Sequence, residues 1–383
     1  MKIHYFLFLA CILFTSNAFS QANPITTAVP FLLIAPDARG GGMGDAGVSS
    51  SPDVYSMYWN PAKYAFCDKD FGAGIGYVPW LRGLVNDIGL ASVTGFKKFG
   101  DKQAVAMSLR FFSMGTVTFT DENGVNLGDV KPNEWTIDAA YSRKFTPSLS
   151  GAVAGRFIYS NLVPVNYTKF EVRPGTSVAA DIALYYHKEL EIKSLTAAWI
   201  NVGLDISNIG SKISYSSSSI NSDFIPTNLR LGPSFTMDID EYNRLTISVD
   251  LNKLLVPTPP IYDTSRKIVK GKDPNVSPIS GMIQSFYDAP GGFKEELQEW
   301  TISPSVEYWY NKLFSIRAGY FYENVNKGDR QFFTIGAGLR YNVFGLDFSY
   351  LVPVRNNNPL QNTMQFTLLF NFDKVENTEK QSK

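Results

Sequence analysis

Cysteine and histidine are almost missing from this chain of 383 residues, which holds two of each. Cys11 and His4 fall within the first twenty positions, leaving Cys67 and His187 for everything after. One cysteine cannot close an intramolecular disulfide. A Cys/His zinc site or a Ser-His-Asp triad would ask several roles of one imidazole. Cys67 therefore reads as a packed residue and His187 as a partly wetted one. A charge excess is missing too: 35 Lys and Arg balance 35 Asp and Glu, so no long-range field draws nucleic acid or anionic lipid. Long apolar runs are also lacking. The best, Tyr5 to Phe14, is ten residues, half of the ~20 that span a bilayer as a helix. With Met1-Lys2 before it and Ala18-Phe19-Ser20 after, it reads as a signal peptide over 1–20, cleaved ahead of Gln21. Leu9-Ala10-Cys11 would leave a lipoprotein signal too short an apolar core. No close carboxylate pair has a histidine companion. The expectation is a non-enzyme with no catalytic residue, metal or cofactor.

Aromatics are plentiful. Phe (28) and Tyr (20) help bring the aromatic share to 14%, yet mean hydropathy is only −0.08. A membrane β-barrel combines these features, because alternate residues face lipid and water and aromatic girdles mark both interfaces. Two-residue alternation is explicit: Leu245, Ile247, Val249 and Leu251 oppose Arg244, Thr246, Ser248, Asp250 and Asn252. Phe333, Ile335, Ala337, Leu339 and Tyr341 oppose Thr334, Gly336, Gly338, Arg340 and Asn342. The last such run, Met364, Phe366, Leu368, Phe370 and Phe372, ends aromatic. Fourteen segments are read this way, starting near Phe71, Ile88, Ala104, Glu134, Leu149, Ser177, Leu195, Asn228, Arg244, Trp300, Leu313, Gln331, Gly345 and Thr363. Every second connection is brief and polar, as at Lys98 to Lys102 or Asn311-Lys312. The others run long, the longest from Val256 to Glu299. Short periplasmic turns and long outer loops give that parity; a soluble sandwich has no reason to keep it. The fold expected is all-β: a 14-stranded antiparallel transmembrane barrel over 69–373, with an N-terminal hatch over 21–68 in its lumen and a polar periplasmic tail over 374–383.

The hatch expectation rests on Ala35 to Ala62, APDARGGGMGDAGVSSSPDVYSMYWNPA, which is small, glycine-dense and interrupted by Pro52 and Pro61. Gly42-Met43-Gly44-Asp45-Ala46-Gly47 matches the dinucleotide fingerprint by letter. It lacks the strand before and the helix after that such a site needs, so it reads as a flexible loop. The same residues, with Asn60-Pro61-Ala62, resemble the hatch of the FadL outer-membrane family, in which Gly42, Gly44, Gly47, Asn60 and Pro61 are the marked positions. Ala28 to Leu32 and Ser51 to Ala62 are most similar to its PorV branch, which serves type IX secretion. That resemblance implies a barrel anchored in the outer membrane that accepts secreted proteins bearing a C-terminal secretion domain as they leave a very large translocon barrel. It would then shuttle them to a surface attachment complex with a sortase-like protease. The alternative it implies equally is a FadL-like transporter of fatty acids or other hydrophobic small molecules.

Strand phase points Arg110, Arg156, Arg230, Arg317 and Arg340 inward with Asp138, Asp181, Asp205, Asp250, Glu307 and Asp347. Mixed signs favour mutual pairing over a charge-selective pore. An apolar substrate would need a pocket, for which Val29 to Ile34, Met43, Tyr55, Met57, Tyr58 and Trp59 are the candidate lining. For protein partners the Val256 to Glu299 loop is the candidate. Its stiff Pro257-Thr258-Pro259-Pro260 lead presents Ile261 and Tyr262. Ile279, Met282, Ile283 and Phe286 fall at spacing 0, 3, 4 and 7, the apolar stripe of a short helix, and Phe293 and Leu297 add another turn. The partner-binding candidates are thus Pro259, Ile261, Tyr262, Ile279, Met282, Ile283 and Phe286.

Overall fold

The computed structural model describes residues 23–83, 85–162, 173–216, 222–355 and 358–373. The expected signal peptide and polar tail lie outside them. Eighteen strands are formed: β1 Phe71–Pro79, β2 Ile88–Phe99, β3 Gln103–Met114, β4 Val117–Thr120, β5 Asn126–Val130, β6 Asn133–Thr146, β7 Leu149–Asn161, β8 Gly175–Leu190, β9 Ala197–Gly210, β10 Asn228–Asp238, β11 Asn243–Leu254, β12 Ile261–Tyr262, β13 Ile268–Lys270, β14 Trp300–Tyr310, β15 Phe314–Tyr322, β16 Gln331–Tyr341, β17 Phe344–Pro353 and β18 Met364–Phe372. Fourteen of them close a barrel in which each pairs antiparallel with its neighbour and β1 meets β18; β4–β5 and β12–β13 are small separate hairpins. Each barrel strand starts within two residues of the position read from the sequence.

Alternation is what makes these segments strands. In β8 burial switches at every residue from Gly175 to Tyr186, with Val178, Ile182 and Leu184 outward and Ser177, Asp181 and Ala183 inward. Lipid takes the outward set and the lumen takes the inward set, so neither helix nor core strand fits the pattern. Outward aromatics gather where strands end: Phe71, Phe99, Phe145, Phe314, Tyr341 and Phe344 ring the short-turn end, the position of an interfacial girdle. One short turn shows its chemistry plainly. Asn311 and Lys312 both have positive φ, 52° and 54°, and the Leu313 N–H donates to the Tyr310 carbonyl at 3.0 Å. This is the primed turn whose twist matches a hairpin.

Residues 29–67 pack inside the barrel with 3₁₀ turns at Pro30–Leu33 and Pro61–Phe66 and single helical turns α1 Ala38–Gly41 and α2 Ser56–Trp59. At the outer end Phe31, Leu32 and Ile34 pack with Val78, Leu90, Phe112 and Ile158. At the periplasmic end Val54, Met57 and Tyr64 pack with Phe96, Ala104 and Ala140. The apolar core of the molecule is therefore in the lumen, wrapped by the wall.

Candidate functional site

Two places could hold function: the lumen and the outer loops. The lumen is built around a belt of charge at mid-depth, and strand register makes it. Asp138 lies opposite Arg156, Asp205 opposite Arg230 and Glu307 opposite Arg317, so cross-strand neighbours carry opposite charge. Arg156 also grips Asp181 at 2.9 Å, Arg110 lies 3.8 Å from Asp138, and Arg317 and Arg340 share Asp347 at 2.8 and 2.7 Å. The inner segment completes the belt. Arg39 forks onto Glu307 at 2.9 and 2.7 Å and reaches Asp53 at 2.8 Å. Asp250 makes no ion pair among the described residues; it accepts the Gly47 and Val48 N–H groups at 2.6 and 2.8 Å. Pairing with each other and with the inner segment is thus what the inward charges do, and such pairs break expensively, by about 3–5 kcal/mol when one partner goes.

The glycines of the inner segment let two backbones touch. Gly44 has φ of 72°, and a Cβ there would stand 2.8 Å from the Tyr320 nitrogen; across the gap, one on Gly319 would meet the Met43 carbonyl carbon at 2.2 Å. Gly42 faces Gly336, and Gly47 lies under the Trp59 ring. Asn60 donates to the Val48 and Leu184 carbonyls at 3.1 and 2.9 Å and accepts from the Ala62 N–H, so with Pro61 it caps the final 3₁₀ turn. Further bonds run to Pro36 from Ser92, to Ala62 from Ser150, to Ser49 from Ser234, and from Gly44 and Ala38 to Thr334 and Thr367. The segment is held from all sides. Val29, Phe31, Leu32, Met43, Tyr55 and Met57 are consumed by packing and line no sizeable void. The expected lining is therefore divided: only a void of about 10 Å³ lies beside Tyr55 and Met57, whereas Pro30, Leu33, Tyr58 and Trp59 line the larger cavity described below.

The outer loop joins a polar base to an apolar surface. At the base, fully buried Lys253 meets Glu296 and Glu299, and Lys327 meets Glu295 and Glu299 at 2.6 and 3.0 Å. The Thr258 hydroxyl donates to Glu299 at 2.6 Å, and Asn23 donates to the Pro259 carbonyl and Glu295 at 3.0 and 3.3 Å. The proline lead is consequently mostly packed away, with Pro259 half-buried and its carbonyl held by Asn23. Ile261 and Tyr262 do face water, on the β12–β13 hairpin. Helix α3 Pro278–Gln284 starts at Ser277, whose hydroxyl accepts the Ser280 N–H, and Gly281 seats it against Phe224 and Pro257. Ile279 (56% exposed), Ile283 (60%) and Phe286 (47%) point away from the barrel, with Met282 between. On α4 Phe293–Gln298, Phe293 is 77% exposed and Leu297 56%. Gln284 bonds to the Asp273 carbonyl and Lys272 sits over Tyr287, so hairpin and helix hold together. The sequence pattern found the stripe; it missed the lysine–glutamate base, whose members stand on β11, α4 and the 323–330 turn.

Below the loop a cavity of about 450 Å³ opens between residues 24–33 and the outer ends of β10, β11, β14 and β15.

A family model described as type IX secretion system protein PorV matches residues 17–261, more than half of the chain. The chain belongs to the PorV family. Membership makes this barrel an outer-membrane component of type IX secretion. The PorV match ends at Ile261, so α3 and α4 lie beyond it. Among solved structures, the Ralstonia pickettii toluene transporter TbuX is 11% identical, with 89% of this chain and 100% of that one covered and a TM-score of 0.48. The Pseudomonas putida toluene transporter TodX is 13% identical over 91% and 98%, TM-score 0.48. A Pseudomonas aeruginosa FadL homologue is 11% identical over 92% and 99%, TM-score 0.42. These are likenesses of fold. No curated protein sequence matches.

Proposed function

We propose that this PorV-family barrel is a non-enzymatic shuttle: it binds secreted proteins through their C-terminal secretion domain and carries them from the translocon barrel to the sortase-containing attachment complex. One observation carries the reading. Large apolar side chains on α3, α4 and the β12–β13 hairpin stand in water on a loop whose base is pinned by buried ion pairs. Exposed apolar residues on a held loop are a protein-binding feature, and a loop already ordered loses little entropy on binding. The residues 21–68 act in this reading as a hatch that keeps the barrel closed while the loop works. The transporter alternative needs a passage, and the inner segment fills the lumen with paired charge and packed side chains.

The test is mild-detergent affinity purification of the tagged protein from its own outer membrane, beside a version lacking 278–293, with mass spectrometry of what accompanies each. Recovery of a very large barrel or of proteins sharing a C-terminal domain, lost with the loop deletion, is the expected result. Recovery of the barrel alone with bound fatty acid or hydrocarbon would replace the shuttle by the transporter.

A further inference from the structure

The cavity beneath the loop belongs neither to the charge belt nor to the exposed stripe. At about 450 Å³ it falls in the range of small-molecule sites, roughly 300–1,000 Å³. Three carboxylates line it. Glu323 is forked by Arg330 at 2.9 and 2.7 Å, and Glu299 is held by Lys327 and Lys253. Asp45 is half-buried on the floor and makes no hydrogen bond or ion pair with its side chain among the described residues. Arg330 and Arg230 act on it through space, but neither donates to its oxygens; a carboxylate withdrawn from water with no donor is unfavourable, so its natural complement is a donor cation from outside. The cations of the lining are already engaged: Arg230 with Asp205 at 3.3 Å, Arg330 and Lys327 as above. An anion would have to displace those carboxylates; a cation need displace nothing.

The remaining walls say what sort of cation. The Asn228 and Asn252 side chains and the Thr301 hydroxyl also face the cavity without a hydrogen-bonded partner among the described residues. With Asp45 they give several oxygen acceptors for a group with three donors, which is the inventory of an ammonium. Ile25, Pro30 and Leu33 supply apolar lining, a surface along which a short methylene stem can lie.

We propose that this cavity is a site for an alkylammonium group, with Asp45 as its counter-ion and Asn228 and Asn252 as its neutral acceptors. The group can arrive on a free diamine or on the lysine of an inserted peptide, and the site does not depend on the shuttle reading. Its test uses the full chain in non-ionic detergent at pH 8. Calorimetric titration compares 1,5-diaminopentane with 1,5-pentanediol, and Nα-acetyl-lysine amide with Nα-acetyl-norleucine amide. In each pair the amine is expected to bind about tenfold tighter or more, since a charge-assisted bond is roughly twice as strong as a neutral one. Asp45→Asn should erase that preference. It suits the fold, because Asp45 has φ of 57° and asparagine tolerates that region well. Should Asp45→Asn nonetheless fail the gel-shift test of barrel folding, Asn252→Leu serves, with a weakening of about threefold expected for the amines alone. A preference for the lysine amide assigns a peptide source and a preference for the diamine a free one. Equal binding of amine and neutral isostere, or an undiminished preference in a folded Asp45→Asn protein, overturns the site.

Discussion

The inner segment and the outer loop are both irregular insertions on one barrel, both rich in apolar residues, and they turn them in opposite directions. Phe31, Leu32, Met43 and Met57 are almost wholly covered, while Ile279, Ile283, Phe286 and Phe293 are not. Their polar residues reverse as well. The inner segment uses Arg39 to reach Glu307 of the wall, and Asp53 and Lys63 to bind the segment to itself, whereas the loop uses Lys253, Lys327 and the glutamates only at its root. The contrast teaches that apolar content alone does not say where function lies. What matters is whether the polar groups around it leave a face free.

The largest expected effect attacks the lumen. Glu307→Ala strips both Arg39 and Arg317 of a carboxylate they hold at 2.7 Å, leaving two buried cations with only Asp53 and Asp347 to answer them. It should destabilise the barrel by about 3–5 kcal/mol, read as the urea midpoint of folding into vesicles. A shift close to zero would mean that the belt is ornamental.

Next comes a matched pair. Ile247 and Ile283 are 49% and 60% uncovered by protein, but one borders lipid and the other water. Ile247→Arg should cost about 2–4 kcal/mol if it sits near the midplane. Ile283→Arg should stay within about ±0.5 kcal/mol and yet impair client recovery. Equal costs would erase the distinction between wall and loop. Inward controls such as Ser248→Arg are unsuitable, because Ser248 is buried against Ser305.

The smallest effect concerns the loop's root. Burial pushes the Asp288 carboxyl up to about 6, with Glu296 and Glu299 adding to the rise and the Thr258 N–H opposing it. Its folded value lies above the ~4 of an unfolded aspartate. Protonation of Asp288 therefore favours the docked loop: its contribution to anchoring is greatest below about pH 4 and declines as pH climbs through 6. Hydrogen exchange across 255–299, corrected for intrinsic rates, should show that decline in the native protein, and Asp288→Asn should flatten it. An identical pH profile in the variant would clear Asp288 of the role.

Strands were readable because lipid on one side and a wet, crowded lumen on the other impose a period of two, and turn lengths supplied the second signal. The inward charges were readable by phase for the same reason. Their partners were not. Arg39 and Glu307 are joined across 268 positions, and Asp250 is answered by backbone N–H groups that carry no letter of their own. The α3 stripe was legible as a helical period, but the packing of the proline lead was not, since stiffness says nothing about which side of a proline segment is covered. Asp45 passed as one letter of a glycine loop, and only the cavity above it gives it significance.

Asn23 is bonded to the loop root and, through its N–H, to the Asn326 carbonyl on the outer rim. Phe71 and Phe372 pair at the opposite rim. The even number of strands brings the two ends of the barrel together, yet the chain ahead of β1 has travelled the full depth of the lumen. The two extremities of the described chain thus lie across the membrane from each other. A label placed at Asn23 reports on the cell exterior, and one placed at Asp373 reports on the periplasm.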